Sequence, residues 1–463
     1  MTIALPEGYQ FVAINESRKD DVMALDLWVF ARGESVEDWP DERWPLEWDR
    51  TVGVVPARSQ NAMNSTGEGP SEQAADLAAM YSTFTFTEFP IPGATLPVGG
   101  LTWVGVHPQH RRRGILRSLI TDHFRTCLER GEAVSALGAS EYSIYGRFGY
   151  GSASDEYELT IPRGAALRDV PGADQHTFRM ETASAEKHAD LVNQIHRAAG
   201  TPAGIVRPGW VTRETPGLQA EYWDDAPFVR DGQEPRRIVV MERNGEPRAY
   251  ARFRRPNADW KNAMPVGTVS VTEAVAVDVA AARALWGVLL DLDLTEAVSV
   301  EFVPVDDALL HLLMDRRVAK PKVFDAAWVR ILDLPAALAA RQYTTDIDVV
   351  LDVSDELLPQ NAGLWRLRAE AFGAASCERV EATGERVANS AEGDAATEHA
   401  TATEPATADI TLDIQQLGAA YLGGRSLAAL AAAGLVQART RDILARTATA
   451  FGWPLAPGQT WEF

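Results

Sequence analysis

Cysteine is nearly missing. The 463 residues hold only Cys127 and Cys377, too few for a disulfide framework, so a reducing, cytoplasmic setting is the expectation. Positive charge is also in short supply. Lys and Arg number 44 against 65 Asp and Glu, a net charge of -21, which disfavours nucleic acid and anionic membrane surfaces as partners and favours cationic ligands. The opening MTIALPEGYQ lacks the charged and apolar regions of a signal peptide. The Ala/Leu run at 427–436 is broken by glycine and followed by charges, so no membrane span is expected. Two common phosphate loops, Gly-x-x-x-x-Gly-Lys-Ser/Thr and Gly-x-Gly-x-x-Gly, are absent as well.

What the acidic chain does contain is VGVHPQHRRRGILRSLI at 104–120. Its left flank, GGLTWVGV, has the β-branched and aromatic character of a short strand. On the right, Leu116, Ile120, Phe124 and Cys127/Leu128 step by three or four, the spacing of a helix. Pro108 cannot continue a central strand, and Gly114 permits positive φ or close backbone approach. The stretch reads as strand, glycine turn, helix. A helix start leaves amide N–H groups unpaired and carries partial positive charge, so it suits an anion such as pyrophosphate. A basic helix start without a ligand is the alternative.

This segment is similar to the acetyl-CoA loop of GCN5-related N-acetyltransferases, Gln/Arg-x-x-Gly-x-Gly/Ala. Arg111-x-x-Gly114 fits it, and Leu116 departs from its small residue. HRRRGILR, then ASEYSIYGRFGYG at 139–151, then a terminal TWEF together resemble the Eis (enhanced intracellular survival) acetyltransferases of actinobacteria along the whole chain. The resemblance implies an α/β (α+β) fold: a catalytic acetyltransferase domain at 1–165, a degenerate one at 166–335, and a sterol-carrier-protein-like α+β domain at 336–463. It implies acetyl-CoA as co-substrate, no metal, an amine acceptor, and a hexameric homo-oligomer.

Site residues follow from the same likeness. Val104, Gly105 and Val106 would offer backbone to the thioester and pantetheine arm, and Trp103 would wall the acceptor pocket or simply pack in the core. Arg112, Arg113, Gly114, Ile115, Leu116 and Arg117 would cover the pyrophosphate. Ser140 and Glu141 would line the cofactor or cap a turn. The strand 101–106 carries no carboxylate, so the base must come from elsewhere, and in the Eis family it is the C-terminal carboxylate, here that of Phe463. An apolar tail docked for stability is the alternative for that residue. Tyr145 matches the family's acid for the departing thiolate, beside Tyr142 and Tyr150, and a structural tyrosine is its alternative. Asp26 falls in a region that lines the acceptor cleft.

The stretch ARGESVEDWPDERWPLEWDR at 31–50 interleaves seven carboxylates with Trp39, Trp44 and Trp48. Such a surface suits a polyamine or aminoglycoside, or else is a solvated acidic face with tryptophans turned inward. A hairpin turning at 90–100 precedes the site strand. TVSVTEAVAVDVAAARALWGVLLDLDL at 268–294 reads as strand then helix without an arginine-glycine turn, a degenerate second copy or an unrelated α/β unit. In the third domain, 346–367 reads as paired strands and 417–436 as helix, and 381–408, rich in Ala, Thr and Glu without aromatics, reads as a flexible insertion between two strands. The activity expected is N-acetyl transfer to a cationic amine, aminoglycosides included. An enzyme using longer acyl-CoA, or a non-catalytic lipid or CoA binder, are the rivals.

Overall fold

The computed structural model describes residues 5–30, 44–57, 76–230, 233–255, 260–381 and 407–461. Among them two seven-stranded sheets and one five-stranded sheet organise the chain. The first sheet contains β1 (Tyr9–Ala13), β2 (Val52–Pro56), β3 (Ala79–Ile91), β4 (Ala94–Val106), β5 (Val134–Gly138) and β6 (Gly151–Ser152). Its seventh strand, Ala327–Ile331, comes from far along the chain and sits between β5 and β6. β7 (Asp155–Pro162) pairs in the second sheet, between Lys322–Asp325 and Ala297–Pro304. All strands of the second sheet lie within 155–325, so it is inserted between β6 and the last strand of the first sheet, and the expected boundaries at 165 and 335 each fall several residues late.

The hairpin before the site strand is tighter than expected. β3 and β4 run thirteen residues each and turn only at Pro92 and Gly93, where φ is +72°. Pro90 and Gly100 lie inside the strands. A Cβ at Gly99 would come within 2.5 Å of Cys127 Sγ, so that glycine lets α2 (Ile115–Glu129) lie close on the sheet. Both cysteines are buried free thiols. α2 buries Ile115, Leu119, Ile120, Phe124 and Cys127, while α1 (Lys19–Val29) packs across β4 through Val22, Leu25 and their neighbours.

The second sheet carries α4 (Ala185–Ala199) and α5 (Pro216–Trp223), following the short α3 (Tyr142–Tyr145) of the first. In the third domain strands Ile347–Ser354 and Gly363–Ala369 pair antiparallel, as the sequence suggests. The apolar run 417–436 is not one helix. It breaks after Tyr421 at Gly423, whose φ is +84°, resumes at Leu427–Ala432 and ends as strand Val436–Ala438. The strands flanking the insertion, Ala375–Arg379 and Ile410–Asp413, lie two strands apart in one sheet, and residues 382–406 fall outside the described residues. The third domain docks tightly on the first: a Cβ at Gly418 would approach the Val329 carbonyl oxygen to 2.4 Å, and Arg330 donates twice to Asp355 in the buried seam. Among the described residues no helix is long and apolar enough to cross a membrane.

Candidate active site

β4 and β5 pair in parallel only at 98–100 with 134–136, and part beyond Gly100. The cause is visible on β4. Its register against β3 slips between Met80 and Ser82, and Trp103 takes a left-handed φ of +51° at the slip. This is a β-bulge, which bends one strand away from its neighbour. The parted strands open a cavity of about 760 Å³.

The start of α2 forms one wall. The chain enters it through Arg112 (φ +62°) and Gly114 (φ +87°), conformations that disfavour side chains with a Cβ. No side chain caps the helix, and its first intrahelical bond is Ser118 N to Gly114 O at 3.2 Å. The amides of 115–117 therefore begin the helix without a partner inside it, as an anion site requires. Arg112, Gly114, Ile115, Leu116 and Arg117 all line the cavity. Arg113 does not. Its guanidinium donates to Tyr9 Oη at 2.8 Å and to the Gln109 carbonyl, while Tyr9 meets His110 Nδ1 at 2.8 Å. Burial and the nearby Arg113 charge hold His110 below the usual imidazole range, so it adds no charge there at neutral pH.

β4 supplies Trp103, Val104 and Val106 to the same cavity. Gly105 turns away: a Cβ there would meet Val29 Cγ2 at 2.9 Å. Its small size serves the packing of α1 on β4, where the sequence suggests close approach to the thioester. The Trp103 ring lies 6.2 Å from Trp44, which lies 6.0 Å from Trp48, so that side chain packs in a tryptophan cluster and also faces the cavity. Ser140, Glu141 and Tyr145 line the opposite wall beyond β5.

The three tyrosines of the 139–151 segment are now distinct. Tyr142 is exposed and packs edge-on against Trp328. Tyr150 is fully buried and shares a hydrogen-bonded chain with Ser135, His123 and Thr83. Tyr145 borders the cavity. Burial, then the Glu141 charge, push its phenol up to about 12, so it remains protonated through the neutral range.

Asp26, near the end of α1, is buried and borders the cavity. So does Glu221 on α5, contributed by the second sheet. No local signal in the sequence marked Glu221, because its place depends on a contact between distant domains. The acidic stretch 31–50 divides. Residues 31–43, with Glu34, Glu37, Asp38, Trp39, Asp41 and Glu42, lie outside the described residues. Glu47 accepts from Thr85 N at 2.9 Å and from the Thr85 and Thr215 hydroxyls, and Asp49 pairs with Arg130. Glu47 thus ties the segment to β3 and to Thr215, the Asp49 pair is exposed, and Trp44 and Trp48 are half-buried. Phe463 lies outside the described residues too. Trp461, two residues before it, is buried, with its ring 6.2 Å from Tyr222, the neighbour of Glu221.

Comparison with known proteins agrees with this architecture. Models of the acetyltransferase (GNAT) domain match residues 12–153 and 209–331, and a sterol carrier protein domain model matches 334–458. An uncharacterized N-acetyltransferase of Streptomyces coelicolor is 37% identical over 365 residues, 79% of this chain and 81% of that protein. N-acetyltransferase Eis of Mycobacterium tuberculosis is 32% identical over 406 residues, 86% of this chain and 88% of that one. The crystal structure of Eis1 from Mycobacterium abscessus superposes with a TM-score of 0.74 at 27% identity, covering 98% of this chain and all of that one. A GCN5-related N-acetyltransferase from Anabaena variabilis shares the fold at a TM-score of 0.72 and 16% identity, over 98% of this chain and all of its own.

Proposed function

Because the chain belongs to the Eis family of N-acetyltransferases, with an acyl-CoA as co-substrate and an amine as acceptor, we propose that it moves acetyl from acetyl-CoA to primary amines of a polycationic acceptor, aminoglycosides at several positions among them. The observation that carries this reading is one cavity bordered by an uncapped helix start, a protonated tyrosine and the carboxylates of Asp26 and Glu221.

Acetyl-CoA supplies the activated acyl group. The 115–117 amides, Arg112 and Arg117 hold its pyrophosphate, with Ser140 and Glu141 along the opposite wall. Backbone groups at Val104 to Val106, beside the β4 bulge, orient the thioester and stabilise charge developing on its oxygen. Asp26 and Glu221 attract the ammonium of the acceptor, with Trp103 as a wall. The bound ammonium first releases one proton to solvent, and the C-terminal carboxylate of Phe463 takes a second from the nitrogen as the free amine attacks. Unperturbed, such a group titrates near 3.5, so burial or a relaying water must raise its basicity. As the carbon–sulfur bond breaks, the Tyr145 hydroxyl donates to the leaving sulfur. A phenol this weak in acidity acts first as a hydrogen-bond donor, and full transfer requires its reprotonation from solvent. Assembly as a hexamer belongs to the same reading, and sedimentation velocity measures it.

The test is an amine panel followed by CoA release, with kanamycin-like compounds, polyamines, lysine peptides and neutral amines, repeated with longer acyl-CoAs. Rapid acetylation of polycations and poor use of neutral amines is the expected outcome. Preference for long acyl chains would replace the acetyl reading, and CoA binding without turnover on any amine would overturn it.

A further inference from the structure

The segment Ala456–Trp461 leaves the third domain and is held almost residue by residue by the second sheet and its helices. Ala456 donates its amide to Asp306 at 2.8 Å and its carbonyl accepts from Arg207 at 2.7 Å. Gly458 N donates to the Pro208 carbonyl at 2.9 Å, and Gln459 N to the buried Glu156 at 2.5 Å. The Thr460 hydroxyl donates to Glu273 at 2.5 Å and meets His196 Nε2 at 2.9 Å. Trp461 Nε1 donates to the Val211 carbonyl at 2.9 Å.

Glu273 is the centre of this grip. It is 2% exposed, accepts from Arg213 at 2.9 Å, and also takes the hydroxyls of Tyr222 and Tyr250. Arg213 is itself fully buried, over the ring of Tyr222. A buried ion pair is a poor way to gain stability, since apolar residues of equal volume often do as well. What it gains is uniqueness. A carboxylate already engaged by an arginine and two phenols has room for a particular hydroxyl, and sliding the segment by one residue would strand the Thr460 contact in a water-free site. Beyond Trp461 the two remaining residues reach at most about 7 Å, so the register at Thr460 fixes where they can arrive.

We propose that the second acetyltransferase-like sheet is a register latch for the C-terminal segment, with Glu273 and Thr460 as positioning residues for turnover in the first-domain cavity. This rests on the reading of the chain's end as the base. The latch also gives the second domain a task that does not require it to bind CoA.

Glu273→Gln would leave Arg213 without its counter-charge and endanger the fold, so the deciding variant is Thr460→Val, which keeps the shape and the ion pair. On the full-length protein we expect Thr460→Val to lower kcat about ten- to a hundredfold through misplacement, with KM for acetyl-CoA within about twofold. Amide hydrogen exchange at 456–461 should quicken, and Thr460→Ser should restore both rate and protection. Native exchange in Thr460→Val overturns the latch. Faster exchange with native kcat overturns the positioning role. A C-terminal extension separates the two readings: if it abolishes turnover while Thr460→Val does not, the latch alone falls, and if neither affects turnover, the terminal base falls as well.

Discussion

In the first sheet eight residues, 107–114, join the site strand to its helix; in the second only Val277 and Asp278 join strand Thr268–Ala276 to helix Val279–Leu289. The first helix start is uncapped and flanked by arginines. The second is sealed by Asp278, which accepts from Ala281 N at 2.8 Å and from Arg248 at 2.6 Å. Against the upward pull of burial, these partners hold the Asp278 carboxyl below the usual range. A carboxylate at that place satisfies the helix dipole and repels a second anion. The same strand-and-helix unit thus has an open, uncapped helix start lining the cavity in one copy and a capped one in the other, and the turn chemistry decides which.

The contrast can be broken most forcefully at Tyr145, which has no counterpart assigned in the second copy. Tyr145→Phe keeps the packing against Tyr150 and should cost ~10²–10⁴-fold in kcat. CoA affinity, read by calorimetry, should stay at the parent value. A variant with native kcat would strip Tyr145 of its role.

Next is the turn itself. Gly114→Val places a β-branched residue at φ +87°. Space is not the obstacle, since a Cβ would meet only Pro6 Cγ at 3.8 Å. The left-handed backbone is, at about 1–2 kcal/mol for an ordinary residue, and the amide cradle should distort to relieve it. CoA affinity should drop by about tenfold or more while the melting temperature changes little. Equal CoA affinity in variant and parent would make the loop a basic cap and no more.

A third probe addresses the grip of the second copy on the C-terminal segment. Burial pushes the Glu156 carboxyl up to about 8, against the opposing Gln459 amide and Arg207 charge. A folded-state value above the ordinary one of 4.5 means that its contribution to stability is complete below that lower value and is lost as pH rises through about 8. Denaturant midpoints should fall across this window, and Glu156→Gln, which keeps an oxygen for Gln459 N, should flatten the fall. Identical pH dependence in both proteins would acquit Glu156.

The smallest effect belongs to the sealed turn. Asp278→Ala should cost about 1 kcal/mol of stability through loss of the cap. It should not create a second CoA site, because the two-residue turn has no cradle to open. Calorimetry should still give one CoA per chain, and a stoichiometry of two would mean that the cap alone had closed the second copy.

These contrasts show where the sequence could be read and where it could not. The loop at 107–114 was legible because strand, glycine turn and helix are consecutive, and their chemistry is local. The missing loop near Val277 was legible for the same reason. The reason position 105 needs a glycine was not legible, because the Val29 side chain that crowds it comes from another helix. Glu47 looked like part of an acceptor surface until Thr85 and Thr215 claimed it. Glu221, Glu273 and Thr460 gave no signal at all, since each acquires meaning only through partners in other elements. The likeness to a family chose Tyr145 over its neighbours, whereas the burial of Tyr150 beside Ser135 supplies the physical ground for passing over that residue.

The insertion of the second sheet before the last strand of the first has a consequence for how the chain is made. The slot between β5 and β6 stays unfilled until Ala327–Ile331 arrives, roughly 190 residues after β5 has left the ribosome. During that interval the nascent first lobe presents the raw edge of β5, since β6 pairs with nothing else. The second sheet draws every strand from 155–325, so only the first sheet is left waiting, and the hazard is edge-to-edge association of its unfinished form. Cutting the gene after β6 would therefore yield a first fragment that lacks its closing strand, Ala327–Ile331, and a second fragment whose own sheet has every strand.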